Sequence, residues 1–260
     1  MRSWMALVAA TLLLASCGDD RDRSDLGARS ESTPAPASVD EADLPALTPG
    51  GLAVGRLAVE GLDVDYVTIV PDGFELGDTA PVLPAFPPGG QDLALTQSVA
   101  AGTYLTEAVA RGWVVVSPAA PGGRLFFDGS EALVPTLMDW IETWVRPEGD
   151  ALHLAGVSNG GISTFRVAAR NPERVSSILV FPGFPRSDED KAALEQLTDV
   201  PVRMFVGGRD TGWIAPMQET LRTLTGLGGD ATLEIVPDEG HIIASISDGV
   251  RIFDELDASR

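Results

Sequence analysis

The chain has 260 residues, of which 44% are hydrophobic, and it carries a formal net charge of −20 at neutral pH. This length and apolar content are enough for one sizeable folded core. The strong negative charge and the single lysine, Lys191, disfavour nucleic acid or another polyanion as a partner.

The N-terminus combines Arg2, an apolar stretch from Trp4 to Ala15 and small residues before Cys17. This is the layout of a secretory signal, and the apolar stretch is too short to cross a bilayer. Residues Leu14–Cys17 resemble the lipobox of bacterial lipoproteins, in which cleavage precedes a cysteine that carries lipid. We therefore expect a lipoprotein signal peptide over residues 1–16. An ordinary signal peptide or a free thiol is the alternative.

This resemblance implies that the protein is exported and that lipid on Cys17 anchors it to a bacterial membrane, at a periplasmic or cell-surface face. Cys17 is the only cysteine, so no internal disulfide is possible. Residues 17–51 are rich in Asp, Ser, Pro, Ala and Gly and contain few large apolar side chains. They predict a disordered acidic tether, followed by a folded domain over residues 52–260.

Beyond the tether, short apolar runs alternate with longer amphipathic segments. The predicted strands are Arg56–Val59, Asp65–Val70, Pro81–Phe86, Trp113–Ser117, Leu152–Gly156, Ser177–Phe181, Val202–Val206 and Thr232–Val236. The predicted helices are Leu95–Arg111, Glu131–Val145, Asn159–Arg170, Asp188–Leu197, Ile214–Leu227 and Ile242–Leu256.

Strands separated by helices form β-α-β units, so this order predicts an α/β fold. We expect a three-layer α/β/α sandwich with a mostly parallel sheet of about eight strands. The first two strands, which are close in sequence, predict an antiparallel hairpin at one edge. Few residues separate the strands that end at Phe181 and begin at Val202, so we expect no large lid domain.

Gly156, Ser158 and Gly160 form a G-x-S-x-G pattern between a predicted strand and a predicted helix. In this setting the serine takes a strained backbone conformation and its hydroxyl projects over the sheet. A crowded turn with small residues would give the same letters. A catalytic serine also needs a base, because a hydroxyl is a poor nucleophile until its proton is taken.

The chain has two histidines that could be this base. His153 lies within a predicted strand and is expected to be a buried residue of the sheet. His241 follows the last strand on a loop that can reach the serine. The imidazole needs a carboxylate to orient it, and Asp210 follows a predicted strand between the serine and His241. Asp238 and Glu239 are rivals, but they lie on the histidine's own loop.

The order Ser158, Asp210, His241 on alternating strands and helices resembles the α/β-hydrolase superfamily over nearly all of the chain from Arg56 onward. The resemblance implies a nucleophilic serine, a histidine acid/base and an orienting aspartate at these positions. It also implies an oxyanion hole of backbone N–H groups, one of them from Asn159.

The second oxyanion donor is expected in the loop after Phe86. Many members of the superfamily have a His-Gly pair there, whereas this chain has Pro87 and Pro88, which carry no N–H. The donor must then be Gly89 or Gly90, and the sequence leaves that choice open.

Together these features predict a hydrolase of small carboxylic esters that needs no cofactor. A metal site is not expected, because the chain has only two separated histidines and one cysteine. The pocket walls are predicted to include four aromatic residues, Phe126, Phe127, Phe184 and Trp213. The alternatives are a serine peptidase or amidase of the same fold and a non-catalytic surface lipoprotein that binds ligands.

Overall fold

A computed structural model describes residues 44–260. The predicted signal peptide, Cys17 and the tether up to residue 43 lie outside the described residues. The end of the predicted tether packs on the folded domain. The Ala46 N–H donates to the Tyr66 hydroxyl at 3.2 Å, and the Thr68 hydroxyl donates to the Ala46 carbonyl at 2.7 Å. The backbone N–H and carbonyl of Ala46 are thus both paired with the folded domain. The folded domain therefore begins before residue 52, its predicted start.

Ten strands are present in residues 44–260. They are β1 Gly51–Val59, β2 Leu62–Val70, β3 Thr79–Ala80, β4 Val82–Phe86, β5 Val114–Pro118, β6 Arg146–Pro147, β7 Leu152–Gly156, β8 Val175–Val180, β9 Val202–Gly207 and β10 Ala231–Val236. Eight form one sheet in the order β1-β2-β5-β4-β7-β8-β9-β10. The pairs β1/β2 and β2/β5 are antiparallel and the other pairs of this sheet are parallel. The predicted mostly parallel sheet and its edge hairpin are confirmed.

The α-helices are α1 Leu93–Val99, α2 Leu105–Arg111, α3 Val134–Trp144, α4 Asn159–Arg170, α5 Asp188–Ala192, α6 Thr211–Gly226 and α7 Val250–Asp257. A π-helical segment, Ala100–Tyr104, joins α1 to α2, where the sequence predicted one regular helix. Among the described residues, no helix is long and apolar enough to span a membrane.

The last predicted helix is wrong over its first half. Residues 242–249 form a loop with one 3-10 turn, Ala244–Ile246, and α7 starts only after Gly249. Gly249 has φ of +85°, which a helix cannot include. The Glu239 carboxylate accepts the N–H groups of Ala244 and Ser245 at 3.1 and 3.2 Å. The apolar spacing of this segment mimics a helix, but side-chain hydrogen bonds stabilise the loop.

Two apolar clusters cover the two faces of the sheet. Along β5, Val114 and Val116 belong to one cluster and Val115 to the other, as the alternation of a strand requires. One cluster includes α3, α4 and α6, and the other includes α2 and α7. The predicted three-layer sandwich is confirmed. Between β8 and β9 the chain forms α5 and the 3-10 turn Ala193–Leu197, so this connection holds no large lid domain.

His153 lies on β7 and is buried, as the sequence predicted. Its Nδ1 is 2.7 Å from the Ser177 hydroxyl, and its ring packs on the edge of Trp113 with centroids 5.0 Å apart. Burial, assisted by the Arg260 guanidinium, lowers the pKa of His153 to about 4, although Glu148 and Asp257 act in the opposite direction. This histidine is therefore neutral in the folded protein near neutral pH.

We predict that His153 makes the protein less stable as the pH falls from about 6.5 towards 4. In this window the unfolded histidine binds a proton and the folded one does not, so unfolding is favoured by about 2 kcal/mol at pH 5. Urea denaturation of the wild type and of His153→Gln at several pH values would measure this. The free energy of unfolding should depend less on pH in the variant. Equal slopes would contradict the prediction.

Candidate active site

Ser158 lies in a tight turn between β7 and α4. Its φ of 56° and ψ of −118° lie in a region that favours glycine. A Cβ atom at Gly156 would overlap the Gly160 carbonyl, and one at Gly160 would overlap the Phe86 carbonyl at the end of β4. The first turn of α4 can therefore approach the strands only without these side chains.

The structure brings the three residues predicted for the site into contact. His241 Nε2 is 2.8 Å from Ser158 Oγ, and His241 Nδ1 is 2.7 Å from Asp210 Oδ2. The side chain of Asp210 is 12% exposed and that of His241 is 41% exposed. The rival Glu239 instead binds the backbone of its own loop. The imidazole thus joins the hydroxyl to a shielded carboxylate and remains accessible to a substrate.

Two neighbouring loops position Asp210 and His241. Asp210 follows β9 and precedes α6, and His241 follows β10. Backbone hydrogen bonds join the loops, from Gly208 N–H to Val236 at 2.7 Å and from Arg209 N–H to Glu239 at 2.8 Å. Because these strands are parallel neighbours, their carboxyl ends meet at one edge of the sheet.

Trp213 and Phe184 support the histidine. The Trp213 ring is 4.9 Å from the His241 ring, and Phe184 packs on Trp213 at the same centroid distance. The sequence predicted both as pocket walls, but neither lines the cavity beside Ser158: Trp213 packs on the imidazole and Phe184 packs behind it on Trp213. Trp213 limits the orientations open to the ring.

The Asn159 N–H lies at the start of α4, where a helix has free donors and favours negative charge. Within residues 44–260 the backbone N–H groups of Asn159, Gly89 and Gly90 donate to no acceptor. The Asn159 side chain donates to the Gly89 carbonyl at 2.8 Å, which ties the loop after β4 to the turn at the serine. The sequence does not predict this side-chain contact, because only the fold brings the two segments together.

A cavity of about 440 Å³ opens beside Ser158. Its walls are mostly apolar, and His241 is the one ionisable side chain among the described residues that line it. The lining residues are Pro88, Gly89, Leu95, Val99, Thr103, Val157, Ser158, Phe181, His241, Ile242, Ile243 and Ser247. The i, i+4 spacing of Leu95 and Val99 was the one signal in the sequence for this lining. The same spacing also predicts a helix face that packs in the core.

The prediction that Phe126 and Phe127 line the pocket is wrong. Phe126 is fully buried and packs on Phe86 with ring centroids 5.3 Å apart. Phe127 is also buried and lies under the Arg186 guanidinium, which is 5.5 Å from its centroid. The Phe126 N–H donates to the buried side chain of Gln91 at 2.8 Å, and Phe126 belongs to the apolar core, whereas Phe127 lies beside Arg166 and Arg186. Arg124 of the same loop is exposed.

The structure also gives a role to Gln91, which the sequence did not predict as part of the site. It follows the glycines of the loop after β4 and is fully buried, although a glutamine is usually exposed. Its side chain binds the loop and α4. No signal in the sequence distinguished it from a surface residue.

Among the described residues, no group of three or more His, Cys, Asp or Glu side chains is arranged to hold a metal ion.

The described part of the chain has the α/β-hydrolase fold, and the predicted fold class is confirmed. No protein-family model matches the chain. In sequence it is similar to Esterase YpfH of Escherichia coli (strain K12), at 29% identity over 117 residues that form 44% of this chain and 49% of that protein. The chain thus spans about half the length of this curated relative.

Solved structures share the fold at low sequence identity. A thermostable esterase aligns with a TM-score of 0.62 and 13% identity, covering 80% of this chain and 61% of that one. A protein of Bacteroides ovatus ATCC 8483, proposed to be a dipeptidyl aminopeptidase IV, aligns with a TM-score of 0.59 and 15% identity, covering 80% of this chain and 35% of that one. These similarities establish the fold of residues 44–260.

We predict that Ser158→Gly is more stable than Ser158→Ala by about 1–2 kcal/mol, because glycine relieves the strain of a positive φ and alanine does not. Denaturant titration of the two variants measures the difference. As a control, Ala169→Gly in α4 should lower stability by about 1 kcal/mol, because φ is helical there. Equal stability of the two Ser158 variants would show that the turn stores no strain.

Proposed function

We propose that the protein is a serine hydrolase that cleaves carboxylic esters through an acyl-enzyme intermediate on Ser158. One observation carries the proposal. The hydroxyl, imidazole and carboxylate of Ser158, His241 and Asp210 form a continuous chain, with distances of 2.8 and 2.7 Å, at the mouth of an apolar cavity. This is the arrangement in which a base activates a serine and a carboxylate orients the base.

In the proposed reaction His241 Nε2 takes the Ser158 hydroxyl proton while Oγ bonds to the ester carbonyl carbon. The carbonyl π electrons move to oxygen and form a tetrahedral oxyanion. Its collapse re-forms the carbonyl and breaks the bond to the leaving oxygen, which takes the proton from Nε2. Water then repeats the sequence, releasing the acid and restoring Ser158. Asp210 stabilises the imidazolium through Nδ1–H.

We assign the oxyanion donors to the N–H groups of Asn159 and Gly89 rather than Gly90. The Pro88 carbonyl accepts the Gln91 N–H at 3.0 Å, so it points into its own turn. In a trans peptide the N–H lies opposite the carbonyl, which directs the Gly89 N–H out of the turn. Gly89 also lines the cavity, whereas Gly90 does not. The Gly89 carbonyl faces the Asn159 side chain, which turns the Gly90 N–H away from it.

The lining of the cavity favours neutral, apolar ester substrates. Within residues 44–260, no arginine or lysine lines it to bind a carboxylate, and no Asp or Glu lines it to bind a free amino group. An ionic group placed there would lose hydration without gaining a partner. A peptidase that recognises a free N-terminus must hold the substrate's α-ammonium group, so this lining favours an esterase over that form of the peptidase alternative. The names of Esterase YpfH and of the thermostable esterase support the same choice.

We expect a fluorophosphonate probe to label the purified domain, and Ser158→Ala to abolish labelling and lower ester hydrolysis by about 10⁴-fold or more. Ser177→Ala, which alters a serine of the sheet, should be labelled like the wild type. A folded wild type that takes no label would overturn the serine hydrolase and leave the non-catalytic binding protein.

A matched substrate panel distinguishes the esterase from the peptidase. Hydrolysis of 4-nitrophenyl butyrate should exceed that of 4-nitrophenyl hemisuccinate, which adds a carboxylate at similar length, by about 10-fold or more in kcat/KM. Peptide anilides should react more slowly than either ester. Faster cleavage of the anilides would favour the peptidase.

We also propose that lipid on Cys17 anchors the protein to a bacterial membrane, on the basis of residues Leu14–Cys17 and the position of the single cysteine. In the full-length protein expressed in a bacterial host, Cys17→Ser should move it from the membrane fraction to the soluble fraction, because one or more acyl chains supply the membrane affinity. Ser16→Ala, with the cysteine intact, is the control and should remain membrane-bound. Unchanged fractionation of Cys17→Ser would contradict the anchor.

A further inference from the structure

Gln91 ends the loop that carries the proposed oxyanion donor. It has no exposed surface, and its φ of 54° is unusual for a residue other than glycine. Burial of an amide side chain is costly unless its polar atoms are hydrogen-bonded. A strained backbone likewise persists only where the surroundings hold it. The hydrogen bonds of Gln91 offset both the burial of its amide and the strain of its backbone.

The side-chain amide of Gln91 binds three separate segments. Nε2 donates to the Pro87 carbonyl at 3.2 Å and to the Ser163 hydroxyl at 2.9 Å. Oε1 accepts the Phe126 N–H at 2.8 Å. Both amide protons and the carbonyl oxygen are therefore used, by the loop after β4, by helix α4 and by the loop that follows β5.

The two prolines make this residue necessary to the loop. Pro87 and Pro88 have no N–H, so this part of the chain can be held only through its carbonyl groups. Gln91 binds both of them, the Pro87 carbonyl through Nε2 and the Pro88 carbonyl through its backbone N–H at 3.0 Å. The Gln91 carbonyl in turn accepts the Ala120 N–H at 2.7 Å.

Ser163 connects Gln91 to the first turn of α4. Its hydroxyl accepts from Gln91 Nε2 and donates to the Asn159 carbonyl at 3.0 Å. From the other side, the Asn159 side chain donates to the Gly89 carbonyl at 2.8 Å. The two proposed oxyanion donors, on Gly89 and Asn159, thus belong to one hydrogen-bonded unit.

We propose that Gln91 is a positioning residue that fixes the Gly89 N–H at the oxyanion of the tetrahedral intermediate. The proposal rests on the proposed ester hydrolysis. Gln91 forms no hydrogen bond with Ser158 or His241 and does not line the cavity, so it acts through the turn Pro88–Gln91. A donor of this kind stabilises the transition state more than the bound substrate, so its displacement affects kcat.

The test compares Gln91→Met, which has similar length but no amide, with the wild type on a neutral aryl ester. We expect kcat to fall about 10- to 100-fold with KM changed less than about 3-fold. Affinity for a trifluoromethyl ketone, which forms a tetrahedral oxyanion on the serine, should fall by the same factor as kcat/KM. The pH midpoint of kcat/KM should not move, because the contacts of His241 are unchanged.

Gln91→Gly separates the side chain from the backbone. Glycine adopts a positive φ without strain, so a role limited to the shape of the backbone predicts a kcat near that of the wild type. Our proposal predicts a loss at least as large as that of Gln91→Met. Ser163→Ala removes one of the contacts, leaves Nε2 bonded to Pro87, and should lower kcat only several-fold.

Ser177→Ala is the control for loss of a buried hydrogen bond, since Ser177 binds His153 within the sheet. It should keep the kcat of the wild type even if it lowers stability. The role of Gln91 would be overturned if Gln91→Met kept the kcat of the wild type, or if Gln91→Gly and Ser163→Ala both did. The proposed ester hydrolysis would still stand. A wild type that neither hydrolyses esters nor takes the fluorophosphonate label would instead overturn the proposed function itself.

Discussion

The close approach of helix α4 to the ends of the strands is the constraint on which the rest of the site depends. Side chains at Gly156 and Gly160 would overlap neighbouring backbone, and one at Gly161 would overlap the Pro182 carbonyl after β8. Because these three residues carry no side chain, the helix can start directly above the sheet. The turn that joins it to β7 is then so short that Ser158 takes a positive φ. The strained serine is thus a consequence of packing.

The same approach brings the start of α4 against the loop after β4. The Asn159 side chain reaches the Gly89 carbonyl, and the Ser163 hydroxyl reaches the amide of Gln91. Two consecutive prolines remove two backbone donors from this loop, so side chains supply part of its hydrogen bonding, alongside the backbone bonds of Gln91. Buried amides of this kind are stable only when all their partners are present, which makes the loop rigid as a unit.

The opposite side of the site is built differently. His241 lies on a loop held by backbone hydrogen bonds to the loop of Asp210 and by the carboxylate of Glu239. Trp213 packs on the imidazole. These contacts leave the histidine partly exposed beside an apolar cavity. The side chains proposed to react therefore lie between the hydrogen-bonded loop after β4 on one side and an open entrance on the other.

The amino-acid sequence determined most of the architecture, because strands and helices alternate with clear periodicity, and the glycines around Ser158 predicted a tight turn between a strand and a helix. It also indicated Asp210 and His241, since their order along the chain and their positions after strands restrict which polar residues can meet the serine. The first half of the last predicted helix was wrong because the apolar spacing does not show that the Glu239 carboxylate binds the backbone N–H groups of this segment and holds it as a loop.

Only the tertiary structure decided which residues form the cavity and which hold the loop after β4. Phe126 and Phe127 are as apolar as Leu95 and Val99, and nothing local distinguishes a side chain in the core from one in a pocket wall. Gln91 resembles a surface glutamine in sequence. Its burial follows from contacts with Ser163 and Phe126, 72 and 35 residues away along the chain. Such contacts exist only after the chain folds, because they join segments that no local preference brings together.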